Sequence, residues 1–169
     1  SDGVGNVVTA LPNGNYVAVT QNWTNGLAVN AGAVTWGDGL GGTVGAVTSS
    51  NSLVGSTTND QVGSDGVTTL TQINGHYVVL SPNWNDGLTT SVGAATWGDG
   101  TTGIIGTITS GNSLIGTQIN DSVGLNGMAL TNGNYVITST NWNNDVGAAT
   151  FGNGSTGISG TVSSSNSLI

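Results

Sequence analysis

The sequence predicts an all-β fold of three tandem repeats of about 60 residues, each a four-stranded antiparallel sheet resembling a propeller blade. Three observations carry that prediction. The same landmarks return three times in the same order. Helix-forming Glu, Lys and Arg are missing, while glycine supplies 30 of the 169 residues. Asn-Gly and Gly-Asp-Gly turns separate short runs of β-branched and aromatic residues. Tandem units of this size also fit a β-trefoil-like closed fold or a stacked-sheet solenoid, and both alternatives stay open.

The first landmark, NGNYV, begins at Asn13 and Asn132 and reads NGHYV at Asn74. An Asn-Trp pair follows at Trp23, Trp84 and Trp142, then TWGDG at Thr35 and Thr96 and TFGNG at Thr150. NSL begins at Asn51, Asn112 and Asn166, and a D-x-V-G element opens each copy at Asp2, Asp60 and Asp121. From NGNYV to NSLVG, every landmark of the first copy moves 61 residues into the second. The repeats then run 1–59, 60–120 and 121–169, the third truncated before its linker. Copy two has three extra residues before NGHYV, and copy three lacks four between Trp142 and Phe151, which marks both places as loops. This phase points to a segment of a longer array, or to a subunit whose ends meet those of its neighbours.

In the first copy the strand-like runs are 7–11, 16–20, 32–36 and 43–48, the last continuing toward Leu53. Apolar alternation is weak over 16–20, which reads as a strand buried on both faces, and over 104–108, where Gly106 interrupts the run. Asn13-Gly14, Asn74-Gly75 and Asn132-Gly133 separate runs one and two and suit a type I′ turn, because both residues tolerate positive φ. A meander of four antiparallel strands per unit follows.

Charge narrows the function. All eight charged residues are Asp, 5% of the chain against about 25% in an ordinary domain, and the net charge is −8. Without Lys or Arg the chain neither neutralises nucleic-acid phosphates nor adheres to anionic membranes. A Schiff-base lysine and an arginine finger are also excluded. The absence of cysteine removes disulfides and thiolate chemistry. No apolar run approaches the roughly 20 residues of a membrane span, so no membrane insertion is expected.

The recurring residues are the candidate sites. Trp36, Trp97 and Phe151 close a strand in register, as core packing requires, and Tyr16, Tyr77 and Tyr135 open the second strand as core or inter-unit contacts. Trp23, Trp84 and Trp142 adjoin Asn in a loop of variable length, where an exposed indole stacks on a sugar ring, so they are the candidate glycan contacts. Asp2, Asp60 and Asp121 are read as turn caps accepting backbone N–H bonds. Asp60, Asp65 and Asp121 are also the candidate calcium ligands, since the chain offers many oxygens and no internal cation. No other cofactor is expected. Asp38 and Asp99 give way to Asn153, which suits a turn and not a catalytic acid. No carboxylate pair marks a hydrolytic site, so no enzyme is expected. His76, replaced by Asn15 and Asn134 elsewhere, reads as an exposed turn, and Met128 as core filler.

The stretches VTALPNGNYVAVTQNW from Val8, GAVTWGDG from Gly32 and NSLVGSTTNDQVG from Asn51 carry a resemblance over the whole chain. They are similar to the tandem repeats of long bacterial secreted and surface proteins of the filamentous-haemagglutinin-like, adhesin type. More distantly, with the strand Tyr77 to Val79, they resemble FG-GAP blades of integrin-type β-propellers. The calcium loop of such blades, D-x-D/N-x-D-G, has no match at 60–65 or 121–126. The resemblance implies a secreted or cell-surface structural module that self-associates with identical or neighbouring repeats in a filament or adhesin stalk. It also accommodates a chain without sites for trypsin-like proteases. The alternative from the aromatic loops is a lectin-like carbohydrate-binding module.

Overall fold

The computed structural model describes residues 1–72 and 74–169. Each repeat begins with a hairpin whose turn chemistry is visible in its bonds. In the first, β1 (Val7–Ala10) and β2 (Tyr16–Thr20) pair antiparallel, Val7 opposite Val19 and Ala10 opposite Tyr16. Leu11 N–H donates to the Asn15 carbonyl at 2.8 Å and Gly14 N–H to the Leu11 carbonyl at 3.0 Å, with Gly14 at φ 93°. This is a tight turn followed by a left-handed glycine, the three-residue hairpin loop, and Asn13 itself stays at negative φ. The expected type I′ pattern therefore fails in units one and three, because Pro12 and Thr131 lengthen the loop by a residue. In unit two Asn74 and Gly75 both take positive φ, 40° and 71°.

β3 (Ala33–Gly37) continues the meander, pairing Tyr16 with Gly37 and Thr20 with Ala33, and the two-residue β4 (Leu53–Val54) pairs on its far side. Unit two repeats the plan with β5 (Val67–Thr69), β6 (Tyr77–Ser81), β7 (Ala94–Gly98), β8 (Gly106–Thr107) and β9 (Ser113–Ile115). Unit three adds β10 (Asn126–Ala129), β11 (Tyr135–Ser139), β12 (Ala148–Gly152), β13 (Gly160–Thr161) and β14 (Ser167–Leu168). The four-residue deletion in unit three leaves a tight turn over Trp142–Asp145, with Asn143, Asn144 and Asp145 all at positive φ.

The three sheets run β1-β2-β3-β4-β8, β5-β6-β7-β9-β13 and β10-β11-β12-β14. The fold is thus all-β, its sheets of four or five strands mostly antiparallel and none closed into a barrel. One expectation is corrected. The fourth strand of each meander is the NSL segment, and in units two and three the run before it crosses to the preceding sheet. β8 of unit two lies parallel to β4 of unit one, and β13 of unit three lies parallel to β9 of unit two. The run 43–48 of unit one forms no strand.

The sheets stack face to face. Val17, Val19, Val34 and Leu53 of unit one share a core with Tyr77, Val79, Ala94 and Ile108 of unit two. The opposite face of unit two, Val78, Leu80, Ala95 and Leu114, packs on Tyr135, Ile137 and Val162 of unit three. Burial on both faces, expected for the second run, is complete only in the middle sheet: all five residues of β6 are buried, while β2 and β11 each keep two half-buried residues, Tyr16 and Ala18 in the one and Val136 and Thr138 in the other.

Tyrosine and glycine opposite each other form part of this geometry. Each ring lies over the glycine that ends the third strand. A Cβ on Gly37, Gly98 or Gly152 would stand 2.0, 2.3 or 2.1 Å from the Cζ of Tyr16, Tyr77 or Tyr135. The glycine of TWG and TFG is therefore the floor on which the tyrosine rests.

Candidate functional site

The chemistry-bearing residues converge on the junctions between units. Asp60, 0% exposed, sits in the linker turn entering unit two, between Asn59 and Gln61, both at positive φ. Its Oδ2 accepts the amides of Ser56 and Thr57, each at 2.8 Å. Its Oδ1 accepts the Thr57 hydroxyl, the Asn85 amide at 3.1 Å and the Asn85 Nδ2 at 2.8 Å. Asp121 repeats the arrangement: Oδ2 takes the amides of Thr117 and Gln118, and Oδ1 takes that of Asn143 at 2.9 Å. Each carboxylate clamps a linker to the loop after the tryptophan of its own unit. Backbone pairing reinforces the clamp, since the Val62 amide donates to the Ala31 carbonyl and the Val123 amide to the Val92 carbonyl. Asp2 is exposed and makes no side-chain hydrogen bond among the described residues.

The second element of the junction is the indole. Trp36 Nε1 donates to the Gly100 carbonyl at 3.0 Å, and Trp97 Nε1 to the Gly154 carbonyl at 2.9 Å. The Gly100 carbonyl also receives Asn13 Nδ2 at 2.7 Å and Asn15 Nδ2 at 2.9 Å. Gly103 and Gly157 let the backbone of the following unit lie on the tryptophan, because a Cβ there would stand 2.6 or 2.7 Å from Trp36 or Trp97 Cβ. Phe151 has the same place in unit three but is 53% exposed, so it is not core in this chain. Two tyrosines hold the run that precedes the NSL segment: Tyr16 Oη accepts the Thr43 amide and Tyr135 Oη the Ile158 amide, both at 3.2 Å. Burial pushes the Tyr135 hydroxyl up to about 12 against the pull of that amide, and burial pushes Tyr77 higher still.

The remaining candidates separate in space. Trp84 is 4% exposed and belongs to the core between units one and two, so no sugar ring reaches its face. Trp23 and Trp142 are half-buried, and the indole N–H groups of Trp84 and Trp142 are buried without a partner. The three do not form one exposed aromatic surface. Asp65 is exposed, and its carboxylate makes no hydrogen bond among the described residues. Among the described residues no group of three or more His, Cys, Asp or Glu side chains is placed to hold a metal ion. The donor set points the same way: N–H and O–H groups already occupy the carboxylate lone pairs of Asp60 and Asp121 that calcium would use.

Two sequence readings of single residues are corrected. His76 is buried, not in an exposed turn: its Nδ1 accepts the Gly100 amide at 2.8 Å, as Asn15 and Asn134 Oδ1 accept those of Gly39 and Gly154 at 3.0 Å. Histidine and asparagine alternate here because each presents an acceptor at the same reach. Met128 is 64% exposed; it pairs with Val136 at the register position of Thr9 and Thr68, one residue beyond Val8 and Val67. Sequence reasoning also missed the hydroxyl pairs Thr35–Ser52, Thr96–Ser113 and Thr150–Ser167, each 2.7 Å apart between strands three and four. Their signal was the fixed separation of the TW or TF threonine from the NS serine in every copy.

Among the described residues, no helix is long and apolar enough to cross a membrane. Three stretches of the chain, 10–64, 72–125 and 129–169, match a family described as a repeat of unknown function (DUF5650). No curated protein matches the chain.

Proposed function

We propose that this chain, which belongs to the DUF5650 repeat family, is a structural repeat module of a secreted or cell-surface protein, extending or assembling into an extracellular filament or adhesin stalk. One observation carries the reading: units two and three each lend a two-residue strand to the sheet of the unit before. A unit made this way receives at one face and gives at the other, so an array lengthens by repeating one contact. The resemblance of the NGNYV, TWGDG and NSLVG landmarks to repeats of long bacterial adhesin-type proteins supports an extracellular setting, as does a chain without cysteine or tryptic sites. No catalytic role is part of the reading. A carbohydrate-binding module is favoured by no comparable observation, since the buried Trp84 interrupts the aromatic series.

Electron microscopy of the concentrated protein tests the proposal. Ordered fibres of uniform width are expected, and they persist in moderate NaCl because no Lys- or Arg-based ion pair links subunits. Discrete particles at all concentrations, retarded on a glycan column, would replace this reading with the lectin one.

A further inference from the structure

The two ends of the stack are uncovered versions of surfaces that are buried inside it. At the unit-three end Leu168 is 79% exposed, whereas Leu53 and Leu114 at the same position are fully buried. Phe151 lies open where Trp36 and Trp97 carry the backbone of the following unit. Val136 is half-buried where Val17 and Val78 are fully buried. The outer edge of β14 has no partner among the described residues, although β4 and β9 receive a parallel strand there. The unit-one end supplies the complement. Val47 and Tyr16 are half-buried where Ile108, Val162, Tyr77 and Tyr135 are buried. Residues 45–46, which correspond to β8 and β13, pair with no strand among the described residues. Between Val4, Tyr16, Ala18 and Val47 lies a cleft of about 100 Å³, on the face that in units two and three takes the side chains of the preceding sheet.

We infer that the unit-three end of one molecule docks on the unit-one end of a second copy of this chain. Residues 45–46 of the second copy pair in parallel with 168–169 of the first. The register follows from the internal junctions. There, Leu53 faces Gly106 and Val54 faces Thr107, and Leu114 faces Gly160 and Ile115 faces Thr161. Leu168 then faces Gly45, and Ile169 faces Ala46. Leu168 and Val136 face the cleft beside Tyr16 and Val47, and Phe151 meets Gly42, the counterpart of Gly103 and Gly157, burying on association what the internal leucines and valines bury on folding. The contact joins two different patches, so it repeats along a row without needing a new surface. It lacks the linker and its aspartate clamp, and it lacks the indole bond as well, because Phe151 has no N–H to offer the Gly39 carbonyl, the counterpart of Gly100 and Gly154. This interface rests on the filament reading above and names its partner and its register.

Two single-cysteine variants, Ala46→Cys and Ile169→Cys, test it in a chain that has no cysteine of its own. When the two are mixed and oxidised, the Ala46–Ile169 disulfide dimer should exceed each symmetric dimer about tenfold, because a head-to-tail contact does not bring like positions together. Leu168→Asp, placed on the Ile169→Cys chain, should abolish the mixed dimer while leaving circular dichroism and melting unchanged. Phe151→Trp in the same chain should raise its yield by restoring the missing donor. Disulfides formed in statistical proportions, or a mixed dimer that survives Leu168→Asp, would overturn the interface. The two proposals fail separately. Fibres without the mixed disulfide remove this joint alone, and a mixed disulfide without fibres keeps the joint and removes the filament.

Discussion

Asp60 is buried without any counter-charge, held instead by the amides of Ser56, Thr57 and Asn85, the Thr57 hydroxyl and the Asn85 amide group. Hydrogen bonds to an ionised acceptor are stronger than neutral ones, and five around one side chain replace its hydration shell. A chain with no Lys or Arg has no lysine or arginine partner to offer a buried aspartate. Removing the carboxylate strands the donors in a dry junction, where each unsatisfied group costs about 1–3 kcal/mol. Asp60→Ala should therefore lower the unfolding free energy in urea by at least about 3 kcal/mol. Asp2→Ala, at the equivalent but exposed position, should change it by less than about 0.5 kcal/mol. Because the lone pairs are filled by donors, EDTA should leave the unfolding midpoint of the wild-type chain where it was. A fall in that midpoint on chelation, reversed by calcium, would show that these carboxylates serve a metal.

At the scale of the element, the unit of construction is a strand that belongs to one repeat by sequence and to another by hydrogen bonding. The indole bonds add direction to this exchange, and the two junctions differ in how far they depend on it. The Gly100 carbonyl keeps Asn13 and Asn15 as donors if Trp36 is lost, whereas Trp97 is the side-chain donor to Gly154. Trp36→Phe should cost about 1 kcal/mol and Trp97→Phe more, up to about 3 kcal/mol, because the second leaves its carbonyl without the indole. Urea unfolding of the two variants checks the order, and equal costs would mean that the indoles act by bulk alone. The recurrence of NGNYV, TWGDG and NSL was enough to place the repeats, the hairpin and the Gly-Asp-Gly turn. It was not enough to place the fourth strand. The run containing Gly45, Gly106 and Gly160 looks equally strand-like in every copy, and periodicity carries no information about which sheet receives it. Trp84 shows the same limit, since Asn-Trp is identical in three copies while burial depends on position in the stack. A signal was present for the clamp: Trp84-Asn85 and Trp142-Asn143 follow a linker aspartate, and the first copy reads Trp23-Thr24.

For the whole molecule, position in the stack decides what a given residue contributes, because each sheet touches only its neighbours. The leucine of the NSL segment is a direct measure, present as Leu53, Leu114 and Leu168 in the same register beside the third strand. Leu53 and Leu114 each have a sheet packed over them and are fully buried; Leu168 has none. Truncating a buried leucine removes its transfer free energy and leaves a cavity in a sheet that backbone pairing on both sides prevents from collapsing. Leu53→Ala and Leu114→Ala should each cost about 2–5 kcal/mol in dilute solution. Leu168→Ala should cost less than about 0.5 kcal/mol under the same conditions, as an exposed side chain does. The difference is informative because chemistry and register are held constant and only the neighbouring sheet varies. Repeating the three measurements at rising protein concentration extends the test. The cost of Leu168→Ala should climb toward that of the other two as a second copy covers the position, since whatever binds the folded state adds to its stability. A cost for Leu168→Ala that stays flat over the whole range would mean that this end of the stack remains open to water.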